Sequence, residues 1–89
     1  AIDINVLENS TDNSTSDKKI TQIVMDTNSV DVDIDIDHTG VGNHDTILDI
    51  NGSFASSDVT VNQSGNTDST VNMIFDGASS SDIDVAITP

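Results

Sequence analysis

The sequence predicts an all-β fold, a two-sheet parallel β-solenoid of about three and a half strand-turn-strand coils with no helix. Three observations carry this reading. Ser56-Ser57-Asp58-Val59-Thr60-Val61 returns 24 residues later as Ser80-Ser81-Asp82-Ile83-Asp84-Val85, with a looser copy at Asp33-Ile34-Asp35-Ile36 and another at Ile2-Asp3-Ile4. Apolar and polar residues alternate with period two inside each copy, as in a half-buried strand. Asp, Ser, Thr, Asn, Val and Ile dominate the chain, and all rank low in helix propensity. A supersecondary unit repeated at this period stacks on its neighbours, because one unit cannot bury its apolar face alone.

The first strands of the coils are expected at Ile2–Val6, Val32–Ile36, Val59–Val61 and Ile83–Ile87, and the second strands at Ile20–Met25, Thr46–Ile50 and Ser69–Met73. Matching the second strands by residue type stacks Thr21, Thr46 and Ser69, then Ile23, Leu48 and Val71, then Met25, Ile50 and Met73. Alternation then sorts the first strands into inward columns: Ile2/Ile34/Val59/Ile83, Ile4/Ile36/Val61/Val85 and Val6/His38/Gln63/Ile87. The stacking core is thus Ile34, Ile36, Leu48, Ile50, Val59, Val61, Val71, Met73, Ile83 and Val85. Turns fall at Gly40-Val41-Gly42-Asn43, Asn51-Gly52, Gly65-Asn66 and Asp76-Gly77. The polar stretch 8–19 replaces a short turn and reads as a loop inserted in the first coil. The chain is one domain, 1–89: coil 1 at 2–28, coil 2 at 29–55, coil 3 at 56–79 and a half-coil at 80–89.

Composition narrows the functional classes. The chain carries 16 acidic residues, all Asp except Glu8, against Lys18 and Lys19, for a net charge of −14. That charge argues against nucleic acid or anionic lipid as a partner. No apolar run approaches the ~20 residues of a membrane-spanning helix, so membrane insertion is not expected. With two Phe, no Trp, no Tyr and no Cys, the chain lacks both an aromatic core and a disulfide staple. Stacking on copies of itself is another staple for so small a unit. Low hydrophobicity with high charge also marks disordered chains, against which the regular alternation stands. A chain opening at Ala1 is consistent with a secreted product that has lost its signal segment.

Ser57-Asp58-Val59-Thr60-Val61-Asn62-Gln63-Ser64-Gly65 resembles the curlin repeat, whose signature is Ser, five residues, Gln, one residue and Gly, then an Asn and a second Gln. Asp68 stands where the family has Asn, and Ile74 where it has the second Gln. In the second unit Val32 replaces the Ser and His38 the Gln, while Gly40 and Asn43 fit; the first unit keeps only the strand pattern. The resemblance implies a secreted bacterial subunit of extracellular curli-type amyloid fibres, serving biofilm matrix and surface adhesion. It also implies an inward hydrogen-bonding column, for which Gln63, His38, Ser57 and Asn43 are the candidates here. The partners are then other copies of the chain, with a nucleator or secretion factor in addition.

Other features are weighed against simpler readings. Asp33, Asp58 and Asp82 form one outward ladder, and Asp3, Asp35, Thr60 and Asp84 a second. Ca²⁺ takes six to eight oxygen ligands, which stacked carboxylates supply; a solvated acidic face is the plainer account, and no EF-hand or calcium β-roll spacing is present. No other cofactor is expected. His38 and His44 flank a glycine turn beside Asp37 and Asp45, where a zinc site or pH switch competes with an inward hydrogen-bonding role for His38, which falls in the Gln63 column. Sequons at Asn9, Asn13, Asn51 and Asn62 follow from composition alone. Lys18 and Lys19 either meet an acidic neighbour or cap the start of a strand. Without Cys, and without a Ser-His pairing implied by spacing, catalysis has no basis and the chain is read as a non-enzyme.

The first hypothesis is therefore a fibre subunit propagating by edge-strand templating, since open edges present unpaired N–H and C=O groups. No capping segment is apparent at either end, and Pro89 blunts the last strand only slightly. The half-coil leaves one sheet with four strands and the other with three. That mismatch supports a second hypothesis, a calcium-dependent adhesin or pilin-type subunit assembled by donor-strand exchange. A solenoid stalk within a larger surface protein is the third.

Overall fold

The computed structural model describes residues 2–10, 18–65 and 68–88, which form ten strands and no helix. They are β1 (Ile2–Ser10), β2 (Lys18–Met25), β3 (Ser29–Val30), β4 (Val32–Gly40), β5 (Asn43–Ile50), β6 (Phe54–Ala55), β7 (Asp58–Ser64), β8 (Asp68–Phe75), β9 (Ala78–Ser79) and β10 (Asp82–Thr88). The core of the inserted loop, the sequon at Asn13, the turn residue Asn66 and Pro89 lie outside the described residues.

The strands stack in three parallel sheets. The first has the order β1-β4-β7-β10, the second β2-β5-β8 and the third β3-β6-β9. The parallel two-sheet stack expected from the alternation is present, and a narrow third sheet, two residues wide, is added at the return corner. Its strands are too short to show any periodicity, which is why the sequence did not announce them. The corner is sharp. Asp31, Ser56 and Ser80 occupy equivalent places in it with φ of 61°, 51° and 49°, a left-handed conformation that side-chain-bearing residues rarely adopt.

The observed register corrects one member of each of the six expected columns. In the first sheet Ile2 pairs with Val32, Ile4 with Ile34 and Val6 with Ile36, so β1 is shifted by two residues from the columns drawn by residue type. In the second sheet Thr46 pairs with Val71, Leu48 with Met73 and Ile50 with Phe75, again a shift of two. The match of Thr21 with Thr46, Ile23 with Leu48 and Met25 with Ile50 stands. A two-residue shift keeps every side chain on its own face, so alternation is blind to it. The strands are also longer than expected, β1 running through Ser10 and β2 starting at Lys18, which shortens the inserted loop at both ends.

Val32, Ile34, Ile36, Leu48, Ile50, Phe54, Val59 and Val61 form the buried core, with Ile4, Val6, Ile23, Met25, Val71, Met73 and Phe75 packed partly against it. Each full burial of such a side chain is worth about 1.5–3 kcal/mol. Val32 and Phe54 were not among the expected core residues. Phe54 fills the third-sheet corner, its ring centroid 5.4 Å from that of Phe75. Ile83 and Val85, expected in the core, are 39% and 46% exposed. They lie on β10, the fourth strand of the first sheet, and among the described residues the second sheet has no fourth strand to cover them.

Gly40 and Gly65 are required where successive coils touch. Gly40 pairs with Ser10 at φ +85°, and a Cβ there would strike the Ser10 backbone. A Cβ on Gly65, at φ +71°, would lie 2.8 Å from the Gly40 carbonyl oxygen. Only a residue without a side chain fits both the dihedral and the approach.

Buried polar rungs as the candidate functional site

Parallel stacking brings like positions together, and at one inward position the column is polar. His38 on β4 pairs with Gln63 on β7, and both side chains are fully buried. Each reaches across the interior to the coil before its own. The His38 Nε2 lies 2.7 Å from the Thr21 hydroxyl of β2. The Thr46 hydroxyl of β5 donates to the Gln63 Oε1 at 2.7 Å, and the Gln63 Nε2 donates to the His44 carbonyl at 3.3 Å and to the Ser69 hydroxyl. Thr21 and Thr46 are themselves stacked. The two rungs are thus one device used twice, tying coil 2 to coil 1 and coil 3 to coil 2. The next residue in the column is Ile87, and the next above Thr46 is Val71, so both sides turn apolar together.

A second polar ladder explains the paired serines of the repeat. The Ser57 hydroxyl donates to the Ala55 carbonyl at 2.8 Å and accepts from the Val32 N–H of the preceding coil at 3.0 Å. The Ser81 hydroxyl repeats this, donating to the Ser79 carbonyl at 2.9 Å and accepting from the Ser57 N–H at 3.1 Å. The first serine of each pair holds the left-handed corner and the second occupies a backbone donor of the coil before it.

Of the four expected members of the hydrogen-bonding column, only His38 and Gln63 share one. Ser57 serves the corner ladder instead, and Asn43 opens β5, where it is buried and pairs with Lys18 and Asp68. All four are nonetheless interior. His44, Thr46 and Thr21 complete the rungs and were not marked as polar interior positions. Their common signal was a hydroxyl or imidazole at an inward place on the second strands.

His38 and His44 lie against each other, with ring centroids 5.4 Å apart. The His44 Nε2 donates to the Gly40 carbonyl at 3.0 Å. Neither Nδ1 has a hydrogen-bond partner among the described residues, and both atoms are buried. Desolvation holds the His38 imidazole below its ordinary value of 6.5, with the neighbouring His44 acting the same way and Glu8, Asp45 and Asp37 acting against it.

Outside, Asp3, Asp33, Asp58 and Asp82 form one continuous carboxylate column. The second expected ladder keeps Asp35, Thr60 and Asp84 in that order but begins with Asn5, so Asp3 belongs to the first column. Asp35, burial, Asp3 and Asp58, in that order, push the Asp33 carboxyl above its ordinary 3.8. Among the described residues no three His or acidic side chains are gathered as a metal centre, and no cavity is formed. The exposed Lys18 at the start of β2 sits 3.6 Å from the largely buried carboxylate of Asp45 on β5.

The fold and its interior define a parallel β-solenoid whose coils are joined by repeated buried polar rungs. Comparison with protein-family models, with curated proteins and with solved structures found no match.

Proposed function

We propose that this chain is a secreted structural subunit that polymerises by edge-strand stacking into extracellular, curli-like fibres serving surface adhesion and biofilm matrix. The observation that carries the reading is the unbroken in-register ladder from β1 to β10, in which each coil docks on the last through sheet hydrogen bonds, with the buried His38–Thr21 and Gln63–Thr46 rungs joining the first three coils. The contact that joins coils within a chain is of the kind that joins chains in a cross-β fibre. Among the described residues β1 and β10 have a strand neighbour on one side only, as do β2, β3, β8 and β9, so both ends of the stack offer backbone donors and acceptors. The likeness of 57–65 to the curlin repeat supports the same reading, since its Ser57, Gln63 and Gly65 all lie at coil-to-coil contacts. The acidic exterior is consistent with a surface exposed to salt and cations, which screen repulsion between stacked copies.

One observation favours a second reading, the donor-strand subunit. Ile83, Val85 and Ile87 of β10 are 39%, 46% and 47% exposed, leaving an apolar step where an extended segment from a neighbour would fit.

Negative-stain microscopy of the purified chain, with and without millimolar Ca²⁺, separates these readings when combined with fibre diffraction. Unbranched fibres with a meridional spacing of about 4.8 Å are expected. Strict monomers under every condition would overturn the proposal, and fibres formed only with an added β-strand donor peptide would favour the second reading.

A further inference from the structure

We propose that His38 is an acid-sensitive latch between the first two coils, closed while its ring is neutral and released when a proton is added. The ring is fully buried, and its Nε2 is committed to the Thr21 hydroxyl of the preceding coil. The protonated ring carries a proton on both nitrogens, and its Nδ1 is buried with no acceptor among the described residues. The charged form therefore holds both a charge and an unpaired N–H in the interior, two penalties a native core avoids.

The surroundings decide the sign. Glu8 of β1 stacks directly on His38, and Asp37 flanks it on β4. From β5 it meets His44 and Asp45, from β2 Thr21 with Lys18 and Lys19 at the same end of the strand, and from β7 the uncharged Gln63. The three carboxylates favour the charged ring, yet burial and the second imidazole outweigh them. His44 cannot relieve the charge as an acceptor through Nε2, because that atom already donates to Gly40.

The strain falls on one joint. Glu8 and Thr21 belong to the first coil, and Thr39, beside His38, also donates to the Glu8 carbonyl at 3.4 Å. Coil 3 is tied to coil 2 through Gln63, which does not titrate. Acid should thus loosen β1 and β2 from β4 and β5 before it disturbs β7 and β8.

Linkage gives the window. The folded ring binds its proton less readily than the unfolded one, so the latch's contribution is complete above pH 6.5 and declines as pH falls below it. One proton corresponds to at most about a tenfold loss in the folding equilibrium constant per pH unit. Asp33 acts in the opposite direction, because its carboxyl binds a proton more readily in the folded chain than in the unfolded one.

The test compares the native chain with His38→Gln, which places at 38 the side chain that position 63 already carries. Between pH 7.5 and 5.5 (roughly the range below and above the reference imidazole value), denaturant titrations should show a falling stability in the native chain and a flatter profile in the variant. Equal slopes in the two proteins would overturn the proposal. An NMR titration of the His38 ring, in solution or in the solid state for a fibre, decides the matter even if the variant fails to fold: a midpoint at or above 6.5 sinks it. Hydrogen exchange corrected for intrinsic rates should show acid opening in β1 and β2 ahead of β8, and uniform opening would also refute the local latch.

Discussion

The Thr46 hydroxyl donates to the Gln63 side-chain oxygen at 2.7 Å, with both side chains fully buried and 17 residues apart in the chain. A buried hydrogen bond of this kind contributes about 0.5–1.5 kcal/mol when made, and its absence costs more because each orphaned group has lost its water. In this molecule the bond also crosses from one coil to the next. It therefore links the interior of a single coil to the cohesion of the whole stack.

Replacing Gln63 with Ala removes the acceptor for Thr46 and the donor to the His44 carbonyl and Ser69, and leaves a void beside Val61 and His38. The expected loss is about 2–4 kcal/mol, read from urea or guanidinium titration. Gln63→His should lose less, since a His already occupies the neighbouring place in the column. If the proposed function holds, Gln63→Ala also slows fibre growth, followed by light scattering or dye binding.

Ser57→Ala leaves the Val32 N–H without its acceptor in a residue only 2% exposed. A cost of about 1–2 kcal/mol is expected. Ser81→Ala should cost less, because Ser81 is half-buried and water can reach the Ser57 N–H in its place. The difference between the two denaturation midpoints measures how much of the serine ladder depends on being covered by another coil.

The Asp column works against the stack at neutral pH. Asp33 is held above its ordinary value chiefly by Asp35, then by burial, Asp3 and Asp58, so the folded state favours its proton more than the unfolded state does. The penalty is present at neutral pH and is removed as pH falls through the raised value. Asp33→Asn should raise the denaturation midpoint at pH 7 in low salt. The gain should shrink in roughly 1 M salt, where the screening length is about 3 Å, and disappear below pH 3.8. If Asp33→Asn were instead destabilising in low salt, a bound cation on this ladder would become the better account.

The register itself can be tested. In the structure Val71 stacks on Thr46 and Ile87 on Gln63, so Val71→Thr with Ile87→Gln should create a third rung. A double-mutant cycle should give a favourable coupling of about 0.5–1 kcal/mol. With Val71 stacked on Leu48 instead, no coupling would arise.

Much of this architecture was legible in the amino-acid order. The period at Ser56 and Ser80 exposed the coils, and alternation placed Ile34, Ile36, Val59, Val61 and Gln63 inside correctly because a strand has only two faces. It also stacked His38 with Gln63 and Asp33 with Asp58 and Asp82. The register of β1 and β8 was not legible. A slip of two residues preserves both faces, so Ile2 beside Val32 and Val71 beside Thr46 are settled only when turn lengths, the Gly40 contact with Ser10 and the Phe54 corner are satisfied together. The third sheet was hidden for a related reason: Ser29–Val30, Phe54–Ala55 and Ala78–Ser79 are too short to carry a period. The sequence alone thus determined which side chains face inward, through the pleat of the strand. Only the tertiary structure decided which inward side chains meet, because that depends on how far each coil advances before it closes on the next.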